Sequence, residues 1–274
     1  MPNATGLCGY DCDLLFAVQR LKRAIDGGFA DRACVAAPYD ARVDPVEFFT
    51  RRFSAEGNAA DAVASKAYMK SALDFHGVTA AIVRAASREF AATLTTHAEL
   101  RRTVDALYAT RNFDLHSAAV GILERHLDLL SPKDAPWLIG LIRASGCWAH
   151  VDWLATKIFP AALPADPSSL LRKWAGDDDF WVRRTSLLAQ LDVMRAGDGD
   201  FALFAELAAP MLEEKEFFIR KAIGWVLRDV SKKRPELVAR FVRKHHARMS
   251  GLTFREAIKR LPETLKQSLQ DLHV

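Results

Sequence analysis

The sequence predicts an all-α fold in which helix pairs stack into a solenoid. Three observations carry this expectation. Apolar residues recur at spacings near three and four, as on one face of a helix. Prolines interrupt those runs at intervals. Few stretches alternate with period two, and no Asn-Gly or Asp-Gly pair joins two strand-like runs.

The elements follow in chain order. Residues 1–42 hold Cys8, Cys12, Cys34 and a Gly27-Gly28 break, and read as an N-terminal extension whose order the sequence does not fix. Residues 43–274 carry the helical pattern. Ser131-Pro132-Lys133-Asp134 reads as an N-cap with proline at the first helical position. Pro160, Pro164 and Pro167 mark a break and a restart. Leu187, Leu188 and Leu191 continue an apolar stripe from Phe180, and Phe217, Ala222, Ile223, Val226, Leu227 and Val230 form another. Pro210, Pro235 and Pro262 each fall at an expected helix boundary. Trp148, Trp181 and Trp225 recur loosely, with spacings in reach of the roughly 40–47-residue period of HEAT and armadillo helix pairs. Such stacks curve, and a concave face can follow an extended ligand.

Composition narrows the function classes. Half of the 274 residues are hydrophobic and 26% are charged, a globular balance. No apolar run reaches the roughly 20 residues of a membrane-spanning helix, and Met1–Gly6 opens no secretory signal, so a cytoplasmic protein is expected. Four cysteines are too few for a disulfide scaffold. Cys8 and Cys12 lack a second pair of ligands and read as reduced thiols, so no metal is expected. The net charge of +4 is uneven: Lys215–Arg260 holds 14 Lys and Arg against 4 acids, a net +10 that leaves −6 elsewhere. A segment that basic is either a footprint for a polyanion or a solvated helical face.

Four stretches carry a family resemblance. Lys66-Ala67-Tyr68-Met69-Lys70 with Phe75-His76-Gly77-Val78 comes first, then Cys147-Trp148-Ala149-His150-Val151-Asp152. Phe180-Trp181-Val182-Arg183-Arg184 follows, and the long block Phe217–Arg228 is the most specific, with Arg255–Lys259 closing the series. Together they resemble the AlkD family of DNA alkylation repair glycosylases over roughly residues 43–274. The resemblance implies a right-handed superhelical solenoid of HEAT-like helix pairs with a concave DNA-binding face. It implies a monomeric hydrolase that excises positively charged N3- or N7-alkylated purines from double-stranded DNA, without base flipping and without a cofactor. By position, Asp152, Trp148 and Trp225 are the implied catalytic set. Arg184 is the implied phosphate grip, and Tyr68 lies beside the same cleft. Arg228 and Lys221 are further candidates for DNA contact.

The residues themselves suit that chemistry. Trp148 and Asp152 are four apart and share a helical face, so an aromatic plane and a carboxylate can cradle a cation. An N-alkylated purine is one, and its base departs neutral without protonation. What remains for the enzyme is to stabilise positive charge growing on the deoxyribose and to orient a water, which one carboxylate can do. The competing readings are ordinary. Trp148 and Trp225 could be core residues, Asp152 could cap a turn or pair with Arg184 for structure, and Trp181 reads as core. Ala149 stands where many relatives carry an acid, and His150 is expected to bring a titratable group close to Asp152. The functional alternative is a non-catalytic scaffold that binds nucleic acid or protein.

Overall fold

The computed structural model describes residues 43–272, and every regular element among them is helical. The expectations for residues 1–42, including Cys8 and Cys12, lie outside the described residues. The helices are α1 (Pro45–Glu56), α2 (Ala59–Met69), α3 (Ala80–Ala91), α4 (His97–Ala109) and α5 (Phe113–Leu123). After them come α6 (Ala135–Ser145), α7 (Trp148–Trp153), α8 (Ser168–Ala175), α9 (Phe180–Leu188) and α10 (Leu191–Ala196). The chain closes with α11 (Phe201–Met211), α12 (Phe217–Val230), α13 (Pro235–His245), α14 (Gly251–Ile258) and α15 (Glu263–Gln270).

Local chemistry sets the helix starts. Side chains of Asn58, Thr79, Asn112, Asp179, Asp200 and Ser250 accept first-turn amides, and Thr96 with Glu99 closes a capping box. The Ser131 cap forms as expected but opens a 3₁₀ turn, Pro132–Asp134, that leads into α6. Pro235 begins α13 and Pro262 immediately precedes α15, whereas Pro210 sits within the last turn of α11. Gly77 permits the tight turn of the Phe75–Val78 motif: its φ is +75° and a Cβ there would lie 2.2 Å from the Asn58 carbonyl oxygen.

The helices pack in two rows. In one, α3 packs on α5, α5 on α7, α7 on α9, α9 on α12 and α12 on α14. In the other, α4 packs on α6, and α8, α11, α13 and α15 follow one another. Each helix meets near neighbours in sequence, the quasi-one-dimensional order of a repeat stack. Polar ties between repeats give the period. Arg52–Glu89 and His97–Asp134 are each 37 residues apart, Arg143–Asp177, Arg172–Glu206 and Arg195–Asp229 each 34, and Lys157–Asp192 and Glu213–Arg248 each 35. The offset lies between the two tryptophan spacings and is shorter than the roughly 40–47-residue HEAT period. A continuous core runs between the rows, from Phe49 and Phe53 through Leu138 and Phe159 to Val242 and Leu269. Among the described residues no helix is long and apolar enough to cross a membrane.

Candidate active site

The resemblance-implied residues Trp148, Asp152, Arg184 and Trp225 all lie on one row of helices, on α7, α9 and α12. Helix α7 is short and lacks a side-chain cap at Cys147. It passes at once into a π-helical segment, Leu154–Ile158, where the Thr156 hydroxyl donates to the Asp152 carbonyl at 2.7 Å. Such wide turns often mark functional sites, and no feature of the sequence reading anticipated this one.

Asp152 is bound from α9. Arg184 Nε donates to Oδ1 at 2.7 Å and Nη2 to Oδ2 at 2.8 Å, a parallel fork–fork pair. The third direction of the guanidinium is also used: Nη1 donates to the Phe218 carbonyl on α12, and Cζ lies 5.9 Å from the Phe218 ring centroid. Arg184 is only 2% exposed. In this arrangement the guanidinium expected to grip a phosphate is occupied by a carboxylate, a carbonyl and a ring. The Asp152 side chain keeps 16% of its surface, so its side of the pair retains some contact with solvent.

Tyr68 and Trp148 are neighbours. Their rings meet edge to face, with centroids 6.4 Å apart. Tyr68 is 40% exposed and burial of its other side raises its hydroxyl pKa. It projects from α2, a helix with no buried side chain. Cys147, beside Trp148, is buried, and that burial together with the Asp152 charge pushes its thiol up to about 11.

Trp225 has a polar partner on its own helix. Its indole N–H donates to Asp229 Oδ2 at 3.0 Å, and the residue is nearly buried. Arg228 and Lys221 both turn to Glu256 on α14: Lys221 Nζ lies 3.0 Å from Oε1, and Arg228 Nη1 binds Oε2. Arg228, a candidate for DNA contact, is buried and paired with Glu256. The close approach of α12 to α14 rests on Gly224, where a Cβ would lie 2.6 Å from Glu256 Cβ. Elsewhere in the basic segment, Arg240, Arg243 and Lys244 are exposed on α13, in the other row.

His150 departs from expectation. Two residues before Asp152, it falls about 200° away around a helix of 3.6 residues per turn. It is buried against α5, where its Nε2 meets Ser117 Oγ at 2.8 Å, and burial holds its imidazole down to about 3. Trp181 is half-buried among Phe180 and Phe218, with centroids 4.4 and 4.8 Å away. Among the described residues no group of three or more His, Cys, Asp or Glu side chains could hold a metal ion.

An all-helical repeat stack with a carboxylate–arginine pair beside two aromatic rings defines the class of protein. A model of the DNA alkylation repair enzyme family matches residues 49–261. The chain belongs to that family. Among solved structures it is similar to a predicted DNA alkylation repair enzyme from Enterococcus faecalis, with 25% identity and a TM-score of 0.67, covering 76% of this chain and 98% of that one. No curated protein matches.

Proposed function

We propose that this member of the DNA alkylation repair family is a DNA glycosylase that releases N3- or N7-alkylated purines from duplex DNA. The observation that carries the proposal is the Asp152 carboxylate, fixed by Arg184 through two bonds and still partly open on the helix that bears Trp148. Each carboxylate oxygen spends one lone pair on the arginine and keeps another. As the glycosidic bond lengthens, positive charge grows on the deoxyribose while the base leaves neutral. A preorganised carboxylate stabilises that charge and orients the attacking water. Trp148, backed by Tyr68, offers an aromatic face to the cationic nucleotide.

In this reading Arg184 acts through Asp152, holding the acceptor in place. Phosphate contacts then fall to exposed cations and to backbone amides, with the bound base left in the stack. The non-catalytic alternative, a scaffold that binds DNA without cleaving it, draws on the burial of Arg184 and Trp225. Release of free base from methylated duplex DNA under single-turnover conditions separates the two. Release by the wild-type protein that falls by about 10²–10³ in Asp152→Asn supports the glycosylase. Duplex binding with no release by the wild type sinks it.

A further inference from the structure

Helix α7 is intrinsically weak. It has six residues, no side-chain cap, a left-handed Gly146 (φ +53°) before it and a π turn after it. Something outside the helix must fix the direction of Trp148 and Asp152. On one side this is Arg184. On the opposite side is a buried polar and aromatic column that the proposed chemistry does not use.

The column runs through five rings. Phe75 stacks on Phe113 with centroids 4.5 Å apart, Phe113 lies 4.4 Å from His150, His150 lies 5.7 Å from His116, and His116 stacks on Tyr108 at 4.3 Å. His150 is the member that belongs to α7. The Ser117 hydroxyl donates to the Phe113 carbonyl at 2.9 Å, so its oxygen accepts from His150 Nε2–H at 2.8 Å. The segment leading into α7 is tied the same way: Ser145 donates to the Leu141 carbonyl, and the Tyr108 hydroxyl donates to Ser145 at 3.3 Å. His150 is 1% exposed, and its Nδ1, like that of His116, is buried with no hydrogen-bond partner.

An apolar side chain of similar volume would fill this space without stranding a ring nitrogen. What it could not supply is a directional bond. The bond to Ser117 gives the ring one fixed orientation against α5.

We propose that His150, through its hydrogen bond to Ser117, is a positioning residue that pins α7 to α5 and so fixes Trp148 and Asp152 from the face opposite Arg184. For its effect on turnover, this rests on the glycosylase proposal; the pinning itself does not. Without His150, α7 keeps the Asp152–Arg184 pair, the buried Val151 and, at its far end, the Trp153 indole N–H on Glu124 at 2.9 Å, but loses the one polar bond that ties its middle to α5.

The test uses the full chain with His150→Leu, Ser117→Ala and His150→Gln. The glutamine keeps an N–H donor near the position of Nε2. Amide exchange of Trp148–Trp153 is read against α12 as an internal reference, alongside melting temperature, duplex affinity and single-turnover base release from methylated duplex. We expect exchange in α7 to rise about tenfold in His150→Leu and Ser117→Ala while α12 is unchanged. Base release should fall about tenfold at nearly constant duplex affinity, with most of it recovered in His150→Gln. Ser117→Ala leaves the ring column intact, so it decides the matter if His150→Leu does not fold. Unchanged exchange in α7 overturns the proposal, as does an increase spread evenly over the chain in step with a lower melting temperature. If the wild type releases no base, the glycosylase proposal falls and the exchange measurement still decides the pinning.

Discussion

Trp225 and Asp229 stand one turn apart on α12, joined by the indole N–H at 3.0 Å from Oδ2. The same oxygen accepts Arg195 Nη2 at 2.7 Å, and Oδ1 takes Lys232 at 2.8 Å. Asp229 thus fixes the ring that the family resemblance places at the lesion. Burial pushes its carboxyl up, but Lys232 and Arg195 outweigh burial and hold it at about 2.

A carboxyl whose folded pKa lies below its unfolded value of roughly 3.9 contributes stability above that pH and loses it as the pH falls through the folded value. The contribution should be complete at neutral pH and disappear between about pH 4 and 2. Asp229→Asn should therefore be less stable than wild type by about 2 kcal/mol at pH 7, with a shallower loss across that acid window. Denaturant midpoints at a series of pH values measure this. Parallel curves for the two proteins would remove Asp229 from the account of acid stability.

His150 makes a contribution of the same sign, from a base. Burial, with a smaller contribution from the nearby His116, holds its imidazole at about 3. The unfolded chain takes up a proton near pH 6.5 that the folded chain refuses until about 3. Stability attributable to neutral His150 should fall steadily as the pH drops through that window. The difference between wild type and His150→Leu, taken at each pH, isolates it from His116. A difference that does not change between pH 6.5 and pH 4 contradicts the burial of an uncharged imidazole.

Gly224→Ala should destabilise by about 1–3 kcal/mol, since its methyl meets Glu256 Cβ at 2.6 Å, well inside contact distance. Glu256 in turn holds Lys221 and Arg228, so the damage spreads to both ion pairs. Thermal melts of Gly224→Ala beside Gly140→Ala, where nothing lies within 4 Å of the added atom, provide the control. Equal melting temperatures would mean that α12 and α14 can part at no cost.

Arg228→Ala should act on stability and leave DNA electrostatics alone. The side chain is buried on Glu256, and its removal leaves a carboxylate served by Lys221 only. Duplex affinity should fall with salt at a log–log slope of about −0.9 per phosphate contact, and that slope should be the same in Arg228→Ala. A slope smaller by nearly one unit would return Arg228 to the DNA surface.

The helical fold and the family were legible in the sequence because both rest on local pattern: apolar spacing, proline breaks, and blocks such as Phe217–Arg228. The shared row of Trp148, Asp152 and Arg184 followed from order along the chain. What sequence order did not reveal was which way each charge faces. Arg184 could equally grip a phosphate or meet a carboxylate 32 residues upstream, and only packing decides that. The density of cations in Lys215–Arg260 likewise hides that Glu256 consumes two of them. His150 was legible in principle, since a residue two positions from Asp152 cannot share its helical face. The π turn after Trp153 leaves no comparable trace, because a single wide turn changes no apolar period.

The Asp152–Arg184 pair makes the obvious active-site variants ambiguous unless stability is measured with rate. Asp152→Asn keeps the shape of the side chain but leaves a guanidinium that is 2% exposed without its anion. Removing one partner of a fully buried pair costs roughly 3–5 kcal/mol, and the partial exposure of Asp152 reduces that to about 2 kcal/mol. A lower melting temperature is therefore expected together with loss of base release, and the two must be separated. Arg184→Lys provides the separation. Lysine keeps the charge, so Asp152 retains a counterion, but it cannot supply two parallel donors and also reach the Phe218 carbonyl. Its melting temperature should fall less than that of Asp152→Asn, while base release drops by about tenfold or more because the carboxylate is no longer held in one orientation. Duplex affinity should stay nearly constant, since a buried arginine makes no phosphate contact. A large loss of affinity in Arg184→Lys, with a shallower salt slope, would show the arginine turning outward to the DNA when the duplex binds. Full base release in Arg184→Lys would show that Asp152 does not need this partner to act.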